Sequence, residues 1–266
     1  MGLDRSRAVL PRLALPDRTG STNADLLAVA DDEPHLSVLA TLDQTAGRGR
    51  LGRRWEAPRG RTLAASVLLD VRPAGARPLP VRALGWVPLL AGVALAEAVA
   101  PLVPGADVGL KWPNDVLLGG DKACGLLAEV TAGGAVVVGA GVDLVLTRDE
   151  LPTPTSTSLA LHGAVGTAEE LADRVLAAWV PRLDELLAGL SAADGDARAA
   201  GVHALATRWC ASLGRAVEVH LPDGRRTLGT ASALADDGRL VVAVAGEPDL
   251  VVGSGDVVHL RHGATP

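Results

Sequence analysis

The segment from Gln44 to Trp55 holds the residues of this chain that are best suited to binding an anion. Six arginines fall between Arg48 and Arg61 against one acid, Glu56, although the whole chain carries a net charge of −6. Arginine presents a fixed fork of donors to carboxylates and phosphates. Glycines between the arginines let backbone N–H groups approach a ligand. Because like charges repel, we expect a mobile loop that closes over an anion.

Three known loop types do not fit this arginine-rich segment. Gly47, Gly49 and Gly52 have the spacing of the dinucleotide-binding fingerprint, but that fingerprint opens a helix, and residues 55–60 read as a loop. A phosphate-binding P-loop requires Lys-Ser or Lys-Thr after its last glycine, where this chain has Arg-Arg. An RGG-type nucleic-acid segment lies in a disordered tail. A solvated arginine surface is the remaining alternative, and it does not explain the glycines.

A second polar group is the string Lys-Trp-Pro-Asn-Asp, from Lys111 to Asp115, and Lys122 lies eleven residues after its first lysine. The Pro113-Asn114 pair alone would describe a turn, and Lys122 alone a surface lysine. Together with the arginine-rich segment, the pattern becomes specific.

Hydrophobic patterning predicts the elements that position these groups. A helix is predicted to begin near residues 21–24, with Ser21 or Thr22 as its cap, and the Thr22–Asp25 spacing resembles a capping box. A long apolar helix is predicted over Arg82–Val99, and one or two helices follow between residues 169 and 211, the first interrupted by Pro181. Strand patterns cover residues 36–42, 61–71, 108–112, 114–118, 122–130 and 135–146. The later strands follow one another too closely for crossover helices, so we expect a mixed, largely antiparallel sheet flanked by helices, an α+β fold.

The pattern changes near Ser212, after which only short strands and turns occur. Five such strands predict a small closed barrel. We therefore expect two domains: a ligand-binding domain over residues 1–212 and a small β-domain over residues 213–266.

Composition limits the environment and the partners. The net charge of −6 argues against a nucleic-acid partner. Two cysteines, Cys124 and Cys210, fit a reducing cytoplasm, and the histidines show no zinc-ligand spacing. The most apolar stretch, Val87–Ala100, is shorter than a membrane span, and the N-terminus lacks the apolar core of a signal peptide. These features predict a soluble cytoplasmic protein without a membrane partner.

The motifs, taken in order, resemble those of the biotin–protein ligases, also called biotin–[acetyl-CoA-carboxylase] ligases. The resemblance runs through nearly the whole chain, over Gly20–Asn23, Gln44–Trp55, Lys111–Asp115 with Asp121–Glu129, Gly139–Asp143 and an SH3-like C-terminal part over Leu213–Leu260. It implies a catalytic fold like that of class II aminoacyl-tRNA synthetases and biotin synthetases. About nineteen residues precede the Ser-Thr-Asn motif, too few for a helix-turn-helix. A ligase without the N-terminal DNA-binding domain and the repressor role is therefore expected.

The resemblance implies a reaction in two steps. Biotin attacks the α-phosphate of MgATP to give biotinyl-5′-AMP, and a lysine of a biotin carboxyl carrier domain, in an acyl-CoA or pyruvate carboxylase, then takes the biotin. A lipoate- or octanoate-protein ligase of the same superfamily is the nearest alternative. A non-enzymatic adenylate- or RNA-binding module is the second, and the net charge counts against it. We expect a monomer or a weak homodimer.

The resemblance also implies roles for individual residues. The catalytic residues are Lys122, Arg48 and Arg50. Biotin-binding residues are Ser21, Thr22, Asn23, Gln44, Gly47, Arg48 and Lys122. Residues for ATP or the adenylate are Arg50, Trp55, Lys111, Asn114, Asp115, Gly141 and Asp143. No metal-binding motif is present, so Mg²⁺ enters with ATP, and Asp115 is the one carboxylate singled out for it. Asp143 replaces the family's Asn, and a carboxylate near triphosphate is unfavourable unless it faces Mg²⁺ or solvent.

Overall fold

The computed structural model describes residues 2–71, 78–221, 224–253 and 256–259. The helices are α1 (Asp4–Val9), α2 (Thr22–Val29), α3 (Trp86–Val99), α4 (Ala168–Ala192) and α5 (Val202–Trp209). The strands of the first part are β1 (Leu13–Ala14), β2 (Val38–Thr41), β3 (Gly47–Arg48), β4 (Arg54–Trp55), β5 (Thr62–Leu69), β6 (Val108–Lys111), β7 (Asp115–Leu118), β8 (Asp121–Val130) and β9 (Val136–Asp143). Those of the second part are β10 (Ala216–His220), β11 (Arg226–Leu234), β12 (Leu240–Ala243), β13 (Leu250–Val252) and β14 (Asp256–His259).

A seven-stranded sheet forms the centre of the first part, in the order β1-β2-β5-β9-β8-β7-β6. The short β1 pairs with β2 in parallel, and every other neighbouring pair in this sheet is antiparallel. The prediction of a mixed, largely antiparallel sheet flanked by helices is confirmed. Two-residue links such as Gly119–Gly120 make the antiparallel pairing possible, since both glycines have positive φ angles.

Both faces of this sheet are covered, but by different helices. Side chains of β5 alternate between them: Leu63 and Val67 join the main hydrophobic core, while Leu68 packs with Leu26 and Val137 in a second, smaller core. Successive residues of a strand point to opposite faces of the sheet. Residues of α3 and α4 belong to the main core, so these helices lie on one face, whereas Leu26 of α2 belongs to the second core, so α2 lies on the other. The face that carries α2 also carries the cleft described below.

The main core contains most of α3. Its Pro88 lies in the first turn, where the backbone N–H groups have no partner within the helix, so the missing N–H costs nothing. The run Val81–Leu102 is long and apolar enough to cross a membrane by length and composition alone, but most of it is buried within the chain. The indole of Trp179, fully buried, donates a hydrogen bond of 3.1 Å to the Ala91 carbonyl and so joins α4 to α3. The burial of α3 is that of a core helix.

Two helix predictions were wrong in detail. Pro181 does not interrupt α4. The helix is 25 residues long and runs through the proline, because one whole face of the helix is buried. The cap of α2 is Ser21, whose hydroxyl accepts from Ala24 N–H at 3.4 Å. No capping box forms with Thr22, because its hydroxyl is 3.2 Å from Gln44 Oε1 and donates there.

The second part is a five-stranded antiparallel sheet in the order β13-β12-β11-β10-β14. Among the described residues no ladder joins β13 to β14, so the predicted closed barrel is wrong, although an SH3-like domain remains consistent with the sheet. Residues 222–223, 254–255 and 260–266 of this predicted domain lie outside the described residues. The boundary between residues 212 and 213 stays a prediction.

Hydrogen bonds of two buried tryptophans help to fasten the second sheet to the first part. The buried Ser212 hydroxyl accepts from the Trp112 N–H at 3.0 Å. The indole N–H of Trp112 donates to the Gly238 carbonyl at 3.0 Å, and that of Trp86 donates to the Asp236 carbonyl at 2.9 Å. The tryptophan of the Lys-Trp-Pro-Asn-Asp string is therefore structural, and it holds the β11–β12 turn against the first part.

Candidate active site

A cleft of about 910 Å³ opens on the sheet face that carries α2. It brings together nearly all of the residues that the sequence singled out. Those that line it are Ser21, Thr22, Asn23, Gln44, Arg48, Arg50, Trp55, Lys111, Asn114, Asp115, Lys122, Gly141 and Asp143. Gly47 is the exception, and it lies behind the cleft wall.

Glycines form the floor of the cleft. Gly125 and Gly141 are direct partners on β8 and β9, and the indole ring of Trp55 lies over both. A Cβ atom on Gly141 would come within 2.4 Å of the ring, and one on Gly125 within 3.2 Å. The side chain of Trp55 can therefore cover the floor only because both positions lack a Cβ.

A β-bulge aims Lys122 into the cleft. Leu117 on β7 pairs with Lys122, but Val116 pairs with Cys124, so Ala123 is an extra residue in β8. The bulge changes the alternation of β8. Lys122 thus shares the cleft face with Gly125 rather than with Cys124, whose side chain is buried in the main core.

Contacts on two sides hold Lys122. Its ammonium lies 2.8 Å from Asp115 Oδ1, an ion pair that is poorly aligned for a hydrogen bond, and 5.6 Å from the ring centroid of Trp55. Its N–H donates to Thr155 O and its carbonyl accepts from Thr157 N–H, both at 2.8 Å. The loop after β9 therefore clamps the backbone of this lysine, while an acid and an aromatic ring hold its side chain.

The arginine-rich segment forms a small hairpin over the cleft. Gly47 pairs with Trp55 and Arg48 pairs with Arg54 in β3 and β4. The N–H of Gly49 donates to the Arg53 carbonyl at 2.7 Å. This bond corrects the expectation that the Gly49 amide is free for a ligand.

Gly47 has a packing role in the hairpin, and its predicted contact with biotin stays a prediction. A Cβ at this position would lie 2.4 Å from the Trp55 carbonyl oxygen and 2.5 Å from Gln44 Nε2. Only glycine lets the two sides of the hairpin approach this closely.

Both predicted catalytic arginines reach across to the sheet. Arg48 forms an ion pair of 3.2 Å with Glu129, and Arg50 donates to Asn114 Oδ1 at 3.0 Å. Asn114 in turn donates to the Leu126 carbonyl at 2.7 Å. The hairpin is thus fastened over the cleft at two points, Glu129 on β8 and Asn114 in the turn between β6 and β7.

The start of α2 forms the opposite end of the cleft. Gln44 Oε1 accepts from the Thr22 N–H at 2.9 Å, and the Thr22 hydroxyl accepts from Ser66 at 2.8 Å. Asn23 accepts from the same Ser66 hydroxyl at 2.6 Å and donates to Glu129 at 2.8 Å. Neutral polar groups dominate this end, and Glu129 connects them to the hairpin.

The second sheet supplies one wall of the cleft. Arg215 and His259 line it beside Lys111. Burial lowers the pKa of His259 to about 4, with Lys111 and Arg215 adding to the effect. The imidazole is therefore neutral at pH 7, and its Nε2 is hydrogen-bonded to the Ser212 hydroxyl at 2.8 Å.

Asp143 and Cys124 differ from ordinary surface groups because both are buried. Asp143 is only 3% exposed, and burial raises its pKa to about 7 despite the opposing effect of Lys122. The carboxyl thus borders the cleft but is largely shielded from solvent. Burial also raises the pKa of the Cys124 thiol well above its usual value, which disfavours a nucleophilic role.

The acids of the cleft do not make a metal cage. Across residues 2–71, 78–221, 224–253 and 256–259, no three His, Cys, Asp or Glu side chains lie close enough together to hold a metal ion. Asp115 is already paired with Lys122. These residues fit a Mg²⁺ that is held mainly by the phosphates of ATP, as Mg²⁺ commonly is.

Comparisons with known proteins agree with this geometry. Residues 15–143 match the Biotin/lipoate A/B protein ligase family, and residues 212–260 match the Biotin protein ligase C terminal domain. The biotin–[acetyl-CoA-carboxylase] ligase of Mycobacterium tuberculosis is 40% identical over 250 residues, which cover 92% of this chain and 87% of that protein. The enzyme of the same name from Paracoccus denitrificans is 35% identical over 180 residues, 63% of this chain and 72% of the relative.

The chain belongs to the biotin–protein ligase family. The predicted family and enzyme class, a ligase, are confirmed, and the names of these relatives favour biotin over the lipoate alternative. The fold is similar to that of a solved structure, the biotin protein ligase from Aquifex aeolicus in complex with biotin and ATP. The match covers 94% of this chain and 99% of that chain, with a TM-score of 0.74 and 24% identity. It confirms the predicted fold.

Several residues in or next to the cleft were not predicted from the sequence. Ser66 is a lone hydroxyl in an otherwise apolar strand, and a polar residue at a buried strand position could have signalled it. Glu129 lay within a recognised motif, but nothing local revealed its contact with Arg48. Arg215 and His259 come from the second sheet, and no feature of their sequence placed them in the cleft.

Proposed function

We propose that this chain activates biotin with MgATP as biotinyl-5′-AMP and transfers the biotin to a lysine of a carboxylase carrier domain. The observation that carries the proposal is the position of Lys122, which lies on the cleft floor, paired with Asp115 and covered by Trp55. A partly exposed cation on the cleft floor, held from two sides, suits a reaction that joins a carboxylate to a phosphate.

The α2 end of the cleft suits the biotin ring system. The ureido ring of biotin is uncharged and has both donors and acceptors. Ser21, Thr22, Asn23 and Gln44 offer neutral groups of both kinds. The internal hydrogen bonds among Thr22, Gln44 and Ser66 fix these side chains before a ligand arrives, which lowers the entropic cost of binding.

Lys122 suits the first chemical step. A biotin carboxylate oxygen attacks the α-phosphorus, and pyrophosphate leaves with its bonding electrons. Both reactants are anions, so they approach only if a cation offsets their repulsion. Lys122 supplies that charge. Its contact with Asp115 fixes its position before the substrates bind.

The hairpin suits the retention of the intermediate. Arg48 and Arg50 supply charge for the carboxylate and the phosphates, and Trp55 supplies an apolar cover. The indole Nε1 of Trp55 is buried and has no hydrogen-bond partner among the described residues, so a donor remains for a ligand. Exclusion of water protects the mixed anhydride from hydrolysis.

The transfer step needs no covalent bond to this chain. The amine of the acceptor lysine attacks the carbonyl carbon of biotinyl-5′-AMP, and AMP leaves. We propose that the acceptor is the biotin carboxyl carrier domain of an acyl-CoA or pyruvate carboxylase. The relatives named above are ligases for acetyl-CoA carboxylase, which supports a carboxylase as the acceptor.

We further propose a cytoplasmic enzyme that is a monomer or a weak homodimer, without nucleic-acid or membrane partners. Both cysteines are free and buried, as expected in a reducing compartment. The net charge of −6 disfavours binding to nucleic acid.

Transfer to a purified carrier domain tests the proposal. The chain is incubated with MgATP, the carrier domain and either biotin or lipoate, and the mass of the carrier domain is measured. We expect one biotinyl group on the carrier lysine, and none on a carrier domain whose lysine is changed to Arg. Modification with lipoate but not biotin would contradict the proposal and support the alternative ligase.

A further inference from the structure

Asp143 is a buried acid on the floor of an anion-binding cleft. Along β9 it follows Gly139 and Gly141 on the same face, and Gly141 lies under the Trp55 ring. Its partner across the sheet is Thr62 of β5. The carboxyl is only 3% exposed, and it borders the cleft.

No side chain in the described part of the chain satisfies this carboxyl. Within residues 2–71, 78–221, 224–253 and 256–259, Asp143 has no side-chain hydrogen bond and no ion pair, although Thr62 and Ser156 stand nearby on adjoining segments. Buried carboxylates elsewhere are satisfied: Asp173 on α4 accepts two hydrogen bonds from Ser6, of 2.8 and 2.7 Å. A buried carboxylate without partners is costly when it is ionised.

The charged and titratable groups around Asp143 are few. They are Lys122 and Cys124 on β8, Asp115 on β7 and Arg61 at the start of β5. Arg61 is engaged by Glu150 at 3.3 Å, and Lys122 by Asp115 at 2.8 Å. The loop at residues 151–158 carries hydroxyl groups and no ionisable side chain. Among the described residues, Lys122 is therefore the cation that acts on Asp143, and it is shared with a second acid.

We propose that Asp143 takes up one proton when biotinyl-5′-AMP fills the cleft, so that the intermediate rests on a neutral carboxylic acid. The proposal rests on the function proposed above. The adenylate brings a negative charge, excludes water and draws Lys122 toward itself, and each of these changes favours the protonated acid. The acid O–H can then donate to an oxygen of the bound ligand, which a carboxylate cannot do.

The balance of protons gives a measurable consequence. When the free enzyme carries an ionised Asp143, binding of one ligand takes up one proton from solution, and that proton resides on Asp143 in the complex. Burial raises the pKa of Asp143 in the free chain to about 7. Below that pH the acid is already neutral, and above it each unit of pH weakens binding by about tenfold.

Calorimetry with a stable adenylate tests the proposal. The ligand is the analogue of biotinyl-5′-AMP whose acyl carbonyl is reduced to a methylene, which keeps the phosphate charge. Its binding is measured from pH 6 to 8.5 in phosphate and in Tris, whose ionisation enthalpies differ. The difference between the two buffers gives the number of protons taken up.

The expected result has two parts. The native chain binds the analogue with uptake of most of one proton at pH 8, and its affinity falls by about tenfold per unit above pH 7. The Asp143→Asn variant binds with no proton uptake and with an affinity that does not change over this range. Asp121→Asn is the matched control, since it removes a carboxyl from the cleft rim and should leave the proton uptake in place.

Three results would overturn the proposal. Binding to the native chain without proton uptake would do so whatever the variants show. Equal uptake by the native chain and Asp143→Asn would assign the proton to another group. Failure of the analogue to bind at any pH would overturn the proposed function as well, and so can be told apart from the first two results.

Discussion

The ammonium of Lys122 and the carboxylate of Asp115 form an ion pair of 2.8 Å on neighbouring strands of the cleft floor. The pair depends on the bulge at Ala123, which turns the lysine toward the cleft. The strands that form the floor of the cleft therefore set the position of the proposed catalytic cation, Lys122. The hairpin above it contributes the cover and further positive charge.

Gly141→Ala should weaken the cover that Trp55 forms over the floor. The added Cβ would come within 2.4 Å of the indole ring, and such overpacking typically costs about 1–3 kcal/mol. We expect biotinyl-5′-AMP to escape faster and to biotinylate a bystander protein. Gly189→Ala is the control, because a Cβ there meets no atom within 4 Å. Equal bystander labelling by both variants would show that Trp55 does not retain the intermediate.

Glu129→Gln should loosen the hairpin without disturbing Asn23. Glutamine can still accept from the Asn23 amide, but the charge that attracts Arg48 is lost. Because both partners are partly exposed, the pair contributes at most about 1 kcal/mol. Escape of the intermediate should rise up to about fivefold at low salt, and the difference should shrink at high salt.

The comparison for Glu129→Gln is Glu185→Gln, which removes an ion pair with Arg182 on α4. That variant should retain the intermediate as well as the native chain does. An effect of Glu129→Gln that is independent of salt would argue against an electrostatic latch.

Asp143→Asn should stabilise the fold increasingly as the pH rises from about 4 to about 7. The pKa of Asp143 is raised from 3.8 to about 7 by burial. The unfolded chain therefore releases this proton at lower pH than the folded chain, and stability is lost as the pH rises through this window. At about 1.4 kcal/mol per unit the loss reaches at most about 4 kcal/mol. Thermal unfolding of both proteins from pH 4 to 8.5 measures it, and a constant difference in Tm would contradict the assignment.

Ser212→Ala should weaken the attachment of the second sheet. The hydroxyl accepts from the Trp112 N–H and bonds with His259, so its loss leaves two groups without a partner. The expected cost is about 1–3 kcal/mol, seen as a lower midpoint of urea unfolding. Ser232→Ala removes an exposed serine bond in the same sheet and should have little effect. Similar midpoints for the two variants would contradict the role of Ser212.

Much of the architecture was predictable because hydrophobic patterning and turn residues are local signals. The strand that became β5 and the helix that became α3 were placed within a few residues of their observed ends. Pro181 misled the prediction of α4, since tertiary burial outweighed a local helix breaker. The prediction of a closed barrel was also wrong, because closure of a sheet depends on pairing between distant strands that no local pattern encodes.

The residues of the cleft were predictable by type and order, but their contacts were not. The sequence placed Lys122 in a strand without revealing the bulge that aims it. It did not show that Asp143 is buried, since burial depends on how strands and loops distant in sequence pack around it. It gave no sign that Glu129 joins Arg48 to Asn23, because these residues come from three separate segments.

Exchange of labelled pyrophosphate into ATP tests the central claim most directly, because it reports formation of the adenylate without any acceptor protein. We expect exchange by the native chain with biotin, none with lipoate or without an acid, and none by Lys122→Ala despite an unchanged circular dichroism spectrum. Exchange that is independent of biotin, or near-normal biotin-dependent exchange by Lys122→Ala, would contradict the account.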